Sequence, residues 1–468
     1  MKLRVIIVGA GKVGYKIAET LSKELYDVIV VDNDKEVIQK VNDTLDVLTI
    51  ESNGLIGQPF KSIKVNEDDL VIAVTDNDEG NMLICLRAKY MGAGRTIARI
   101  RNPEYENDLA LPKEELAIDF IINPEKSTAA EIVRLLTFSP AEQINEFGNG
   151  SVQMVQVDID EESPLNNVAL KDQNDFEDLL IAAIIRDGDT IIPKGDQRIK
   201  SGDTIFIIGN KKEIADYFNS IGEAPVDIRK VMILGGGTYS FYLAEYMNKM
   251  GMSTKIIEKD LQRCRELSEK IPDSLIINGD GTDLNLLKEE NVAAMDAFVS
   301  LTGIDEENIL VSLLAKQNGV KKGIAKVNRE NYITLAKNIG VDSTITPSII
   351  TTSEILGFVR GEWVLSLSLL PGGQAEVVEY LIKPDSPAIN IPLKDLDLPD
   401  STIIATIISE GKVIIPHGGD VIKKDDKIVV ISKADEVEKA RQLFHGKEGK
   451  GNHGFWNSLK NARSSINN

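Results

Sequence analysis

Gly9, Gly11 and Gly14 stand at GxGxxG spacing between an apolar run ending at Val8 and an amphipathic stretch opening at Tyr15. Asp32 closes the next apolar run. Each residue type in that order has its own physical task. Gly9 permits a tight turn out of a strand, Gly11 lets backbone approach a pyrophosphate, and Gly14 lets helix and strand pack closely. The helix start that follows offers free N–H groups and the positive end of a dipole to phosphates. Asp32 can accept both hydroxyls of an adenosine ribose. Neither Arg nor Lys follows it directly to welcome a 2′-phosphate, so NAD or another adenine nucleotide is favoured over NADP.

The construction returns. Gly235-Gly-Gly-Thr-Tyr-Ser240 follows a second apolar run, and Ser253-TKIIE ends on Glu258; Gly9 to Gly235 and Asp32 to Glu258 both span 226 positions. One glycine motif is weak evidence, whereas two in strand–turn–helix context, each with its acid, point to paired nucleotide-binding halves. The second copy carries Ser240 where the third glycine belongs, and Glu258 in place of the aspartate. Further polar residues fall at expected strand ends, where ligands bind in open α/β sheets. The expected contacts in the first half are Gly9, Ala10, Gly11, Lys12, Val13, Gly14, Asp32, Asn33, Asn53, Thr75, Asp76 and Arg99. Those in the second are Gly235, Gly237, Thr238, Tyr239, Glu258, Asp280, Thr302 and Lys326. Of these, the strand-end residues Asn53, Thr75, Asp76, Arg99, Asp280, Thr302 and Lys326 each read more simply as structural when taken singly, and as a set they outline a crevice.

No catalytic constellation accompanies them. His417, His445 and His453 all fall in the last eighth of the chain, and no Walker lysine, GxSxG elbow or metal-ligand spacing is present. His417, in a Pro-His-Gly-Gly run, reads as a turn residue. Cys85 and Cys264 are the two cysteines, each inside a helical pattern, which suits a reducing compartment and core packing. No metal site and no catalytic residue is expected.

These residues need strands and helices to hold them. In the first half, strand patterns at Leu3–Val8, Val28–Val31, Leu45–Ile50, Leu70–Val74 and Thr96–Ile100 alternate with helical patterns. In the second they are Val231–Leu234, Thr254–Ile257, Leu275–Ile277, Ala297–Leu301 and Gly323–Val327. The alternation implies a doubly wound parallel sheet, a Rossmann-like α/β fold, present twice. Pro124 and Pro347, offset by 223, each open a helix with an apolar face that carries the chain onward. Each sheet is then followed by a small α+β unit of short strands, marked by Ile191-IPKGD and Ile414-IPHGGD. The expected division is 1–123 and 228–346 for the parallel-sheet units, 124–140 and 347–365 for crossover helices, and 141–222 and 366–446 for the small units. Residues 447–468 form a polar tail, expected to be disordered, with Phe455 and Trp456 as the ingredients of a short partner-binding helix otherwise.

The 468 residues carry a formal charge of −20, which opposes sequence-independent binding to nucleic acid or anionic lipid. The chain opens on its first strand, so no secretory signal is expected, and its longest apolar runs are strand-length, too short to cross a bilayer.

The order GAGKVG, Asp32, Thr75-Asp-Asn-Asp, Arg99 and IPKGD, repeated once, resembles the TrkA family, peripheral nucleotide-binding subunits of bacterial Trk potassium uptake systems. It is similar to tandem RCK (KTN) modules, each a Rossmann RCK_N unit followed by a TrkA_C unit. The resemblance implies a non-catalytic cytoplasmic regulator, peripheral at the inner face of the cell membrane. It would form a homotetrameric ring, bind NAD(H) or ATP/ADP, and gate a TrkH- or KtrB-type potassium subunit. By motif position it places nucleotide contacts on Gly9, Gly11, Gly14, Asp32, Thr75 and Arg99, and on Gly235, Gly237, Glu258, Thr302 and Lys326. Gly279-Asp-Gly-Thr282 matches the family pattern after the third strand, whereas the first copy has Glu51-Ser-Asn-Gly54. An NAD-dependent oxidoreductase with its substrate between the two sheets is the competing reading, and a ligand-free scaffold the third.

Overall fold

The structure, a computed structural model, describes residues 3–23, 26–107, 116–137, 144–172, 178–221, 228–361 and 363–445. The first half opens with strands β1 (Arg4–Val8), β2 (Asp27–Asp32), β3 (Leu48–Glu51), β4 (Asp69–Ala73), β5 (Arg95–Arg99) and β6 (Phe120–Ile122). They form one parallel sheet in the order β3-β2-β1-β4-β5-β6. Helices α1 (Lys12–Ser22), α2 (Lys35–Thr44), α3 (Gln58–Ile63), α4 (Asp78–Tyr90) and α5 (Pro103–Asn107) connect them. Val5, Ile6, Ile7, Leu70, Val71 and Ile72 are fully buried, the apolar run expected of strands covered on both faces.

Helix α6 (Pro124–Thr137) leads out of this sheet into an antiparallel one of β7 (Ile144–Phe147), β8 (Val152–Asp158), β9 (Leu179–Arg186), β10 (Asp189–Ile191) and β11 (Thr204–Asn210), ordered β10-β9-β11-β8-β7 and closed by α7 (Lys211–Ser220). The second half repeats the plan. Strands β12 (Lys230–Leu234), β13 (Ser253–Glu258), β14 (Leu275–Asn278), β15 (Ala297–Ser300), β16 (Lys322–Lys326) and β17 (Ser343–Ile345) order as β14-β13-β12-β15-β16-β17. Between them run α8 (Thr238–Lys249), α9 (Leu261–Lys270), α10 (Leu284–Glu289), α11 (Asp305–Gln317) and α12 (Asn331–Asn338). Helix α13 (Pro347–Arg360) then leads to β18 (Val364–Leu369), β19 (Ala375–Leu381), β20 (Thr402–Ser409), β21 (Lys412–Ile414) and β22 (Lys427–Lys433), ordered β18-β19-β22-β20-β21, and to α14 (Val437–His445).

Each parallel sheet has six strands where the sequence pattern gives five. The missed ones, β6 and β17, are three residues long, too short to show a period of two. The expected third strand also starts late. Leu45 ends helix α2, its N–H bonded to the Val41 carbonyl, so pairing begins at Leu48.

The crossover helices join the halves. Ala129, Ile132, Leu135 and Leu136 of α6 share a core with Tyr242, Leu243 and Met247 of α8, in the second half. Ile355, Leu356 and Val359 of α13 share another with Ile17, Ala18 and Leu21 of α1, in the first. The two antiparallel sheets also face each other, Phe147, Met154 and Phe206 packing with Leu370, Val377 and Ile431. No helix among the described residues is long and apolar enough to cross a membrane. Residues 447–468 lie outside the described residues.

Candidate functional site

Strand β1 delivers Gly9 into the turn at φ +100°, and a Cβ there would stand 2.9 Å from the Thr75 nitrogen. Gly14 sits deeper still, since its Cβ would lie 1.9 Å from the Gly9 carbonyl oxygen. Around Gly11, by contrast, a Cβ would meet no atom within 4 Å. Two glycines therefore make the turn and the third leaves it open, the shape a backbone cradle for phosphate requires. Asp32, at the end of β2, accepts from the Ala10 N–H at 2.6 Å and from the Asp34 N–H at 2.9 Å. Asp34 is spent as the cap of α2, accepting from the Glu36 and Val37 N–H groups.

Thr75, at the end of β4, donates from its N–H and its hydroxyl to Asn81 Oδ1 at 2.9 and 2.7 Å. Asn81 Nδ2 donates in turn to the carbonyls of Thr75 and Arg99, at 3.2 and 2.9 Å, and so ties two strand ends together. Arg99 reaches Glu125 of α6 at 3.2 Å and the fully exposed Asp76 at 3.5 Å. Burial pushes the Glu125 carboxyl up despite the guanidinium beside it. Arg99 Nε and Glu125 Oε2 are buried without a hydrogen-bond partner. Lys12 and Asn33 are exposed at the rim, Val13 is half-buried, and Asn53 closes its own turn by accepting from the Leu55 N–H at 2.8 Å.

The second crevice repeats this geometry with changed residues. Glu258 accepts from the Gly236 N–H at 2.6 Å and the Asp260 N–H at 2.8 Å, the longer acid making the same two bonds as Asp32. Gly235 has φ +95° and Gly237 is as open as Gly11. The buried Ser240 donates its hydroxyl to the Gly235 carbonyl, which lets a side chain sit where Gly14 has no room for one. Asn308 braces Thr302 and the Lys326 carbonyl as Asn81 braces Thr75 and Arg99. Asp280 accepts from the N–H and hydroxyl of Thr282, and these bonds hold its carboxyl below the usual range.

Lys326 differs most from its counterpart. It is 7 % exposed, its ammonium 3.4 Å from the Leu301 carbonyl and 4.5 Å from the centre of the Tyr239 ring. Among the described residues no carboxylate pairs with it, and desolvation lowers its pKa to about 8. Position 348, which corresponds to Glu125, holds Ser348.

The two crevices wall each other. Asp78, Arg101, Asn102 and Glu125 of the first half line a cleft of about 280 Å3 with Thr238, Phe241 and Arg263 of the second. Lys16 of α1 pairs with Glu330 at 2.5 Å, and Lys270 of α9 with Glu104 at 2.9 Å. The structure thus sets Gly9, Asp32, Thr75 and Arg99 at neighbouring strand ends of the first sheet and Gly235, Glu258, Thr302 and Lys326 at those of the second, whereas Asn53 and Asp280 are bonded within their own turns. Glu125, Asn81, Asn308 and Arg263 were not read from the sequence. The offset of 227 between Asn81 and Asn308, shared by Thr75 and Thr302, was the available signal for that pair.

Neither cysteine is poised for chemistry, since burial pushes both thiols up. His417 lies in a turn, its N–H donating to Asp420, and His445 stacks on Trp363 at 4.3 Å. Among the described residues no group of His, Cys, Asp and Glu is placed to hold a metal.

Comparison with known proteins agrees with this duplicated plan. The TrkA-N domain model matches residues 5–124 and 231–347, and the TrkA-C domain model residues 154–222 and 377–445. The chain is 34% identical over 450 residues to the Trk system potassium uptake protein TrkA homolog 2 of Methanosarcina mazei, covering 94% of this chain and 100% of that protein. It is 32% identical over 452 residues to the Trk system potassium uptake protein TrkA of Haemophilus influenzae, covering 94% and 98%. Among solved structures, the GsuK RCK domain superposes with a TM-score of 0.58 at 15% identity, covering 96% of each chain. The GsuK channel bound to NAD gives 0.58 at 15%, covering 96% of this chain and 80% of that one. At such identity the structural likeness speaks for the fold. With both domain models matched twice and near full-length relatives above 30% identity, the chain belongs to the TrkA family.

Proposed function

We propose that the chain is a cytoplasmic, non-catalytic regulatory subunit of a potassium uptake system. It binds NAD(H), or ATP/ADP, in its two crevices and gates a TrkH- or KtrB-type membrane subunit from a homotetrameric ring. The observation that carries the nucleotide part is the repeated bond between acid and turn. Asp32 and Glu258 each hold a glycine-turn N–H at 2.6 Å, beside an open glycine and a helix start. The remaining lone pairs of both carboxylates face ribose hydroxyls in this reading, and the helix starts face phosphate. Arg99 and Lys326 supply positive charge.

The regulatory part rests on how each crevice is walled by the other half, because a ligand shifts a conformational equilibrium by its differential affinity for the two states. The names of the near full-length relatives support potassium uptake as the setting. Ring assembly is supported by apolar side chains left outside on corresponding helices: Leu83, Leu86 and Tyr90 on α4, and Leu310 on α11. An oxidoreductase would need a proton-transfer group positioned beside a bound nicotinamide, and the two histidines among the described residues, His417 and His445, stand in the second antiparallel unit and not at the crevices.

Calorimetric titration with NAD, NADH, ADP and ATP, with turnover assayed in each mixture, tests the reading. Saturable binding without turnover is expected, weakened about 5- to 150-fold at one site by Asp32→Ala and at the other by Glu258→Ala. Steady consumption of NADH with a carbonyl substrate would overturn the regulatory reading in favour of the oxidoreductase.

A further inference from the structure

The duplication supplies an internal control for one buried acid. Glu131 of α6 and Glu354 of α13 occupy the same helix position, 223 residues apart. One turn on, the first helix carries Arg134, which pairs with Glu131 at 2.7 Å. The second helix carries Gly357 at that place. A Cβ on Gly357 would meet no atom within 4 Å, and the space beside it is a cavity of about 650 Å3.

That cavity lies where the edge strand β6, both crossover helices and strand β18 meet. Phe120, Phe358, Leu365 and Leu367 give it an apolar wall, while Glu354, Ser353 and Ser366 supply polar atoms. Its size and its mixture of apolar wall with few polar groups are those of a small-molecule site at a domain junction. The Ser127 side chain lies beside the Glu354 carboxyl and acts to lower its pKa. Burial still pushes that carboxyl up, because the one guanidinium acting on it, Arg134, is already engaged by Glu131. Lys126 also lines the cavity and has a partner of its own.

We propose that this cavity binds a small organic cation of the guanidinium type, whose charge takes beside Glu354 the place that Arg134 holds beside Glu131. The planar head donates to the carboxylate as an arginine fork does, and its short apolar body lies against Phe358 and Leu367. The ligand touches both crossover helices and the second antiparallel sheet at once, so its binding favours the arrangement of those three elements seen here. Nothing in this requires the nucleotide crevices to be occupied.

The test is a titration of the full chain with ethylguanidinium, followed by ligand-observed NMR, with ethylurea as the uncharged match. Saturable binding of ethylguanidinium at one site per chain is expected, without binding of ethylurea. Glu354→Gln should weaken it about tenfold or more, as loss of a charge-assisted pair implies. Gly357→Arg places a tethered guanidinium at i+3 from Glu354 and should abolish binding while keeping or raising Tm. Should Glu354→Gln fail to fold, Gly357→Arg decides. Absence of binding to the wild-type chain, or equal affinity in the Gly357→Arg chain, overturns the proposal.

Discussion

Asn145 donates its side-chain amide to the Ser368 hydroxyl at 2.9 Å, and the two residues are each other's counterparts, 223 positions apart. A residue that meets its own equivalent lies on a two-fold axis, here one internal to a single chain. Strands β7 and β18 meet at that axis, the antiparallel sheets pack face to face around it, and α6 and α13 cross between the halves. The chain therefore folds as a dimer of its own two copies, and each half owes part of its core to the other.

That dependence is sharpest at Phe358, whose ring stacks on Phe120 of the first sheet with centroids 4.9 Å apart. Phe358→Ala should cost about 2–4 kcal/mol, below the full core value because the ring is half-buried. The loss should lower the midpoint of a single urea transition reported alike by probes in either half. Unfolding of the second half alone would contradict the shared core.

The glycine turn separates fold from ligand in a second experiment. Gly14→Ala forces a Cβ to 1.9 Å from the Gly9 carbonyl and should cost about 3 kcal/mol or more. Gly11→Ala meets open space, so stability should change by about 1 kcal/mol at most while nucleotide affinity at the first crevice falls. Paired thermal melts and calorimetry check both, and a Gly11→Ala chain that binds nucleotide normally would remove the cradle assigned to this turn.

What the sequence made legible follows from distance along the chain. Gly9, Gly14 and Asp32 lie within one strand–helix–strand unit, and their spacing alone places acid against turn. Repetition then fixed the second crevice, including the serine and glutamate replacements. Glu125 escaped notice because its pairing with Arg99 depends on where α6 crosses the sheet edge, and no local pattern encodes that. The Phe120–Phe358 stack joins residues more than two hundred positions apart, and it exists because the two apolar crossover helices find cover on the opposite half. The Lys326 ammonium, held by a carbonyl and a ring instead of a carboxylate, is of the same kind. Its oddity is the absence of a Glu125 equivalent, visible once the two crevices are compared residue by residue.

Lys326 gives a pH prediction with a definite sign. Its folded value of about 8 lies below the ordinary 10.5, so between those values the unfolded chain binds more protons than the folded one. Stability from this group therefore rises as pH climbs from about 8 to about 10.5, and the penalty of the buried ammonium is fully present below 8. Lys326→Met should stabilise the nucleotide-free chain at neutral pH by on the order of 2 kcal/mol and flatten that rise. The same change should weaken phosphate-bearing ligands at the second crevice, and in the wild-type chain their affinity should fall as the ammonium deprotonates. Urea denaturation on both sides of the transition, with and without ADP, reads both effects.

A buried pair at the end of α13 offers the opposite case, a charge with its partner in place. Arg360 and Glu376 have side chains 1% and 5% exposed and are bonded twice, Nη2 to Oε1 at 3.0 Å and Nη1 to Oε2. The corresponding positions in the first half hold the uncharged Thr137 and Gln153, so the fold does not need the charges as such. Removing one partner leaves the other desolvated, and Arg360→Met or Glu376→Gln should each cost about 3–5 kcal/mol. Removing both should cost far less, because an apolar pair of similar volume fills the space without a desolvation penalty. A double-mutant cycle on urea unfolding measures the difference, and it should return a coupling of several kcal/mol between α13 and β19. Additive single losses would mean that the two side chains act through separate neighbours, and that the helix is seated on the second antiparallel sheet by its apolar face alone.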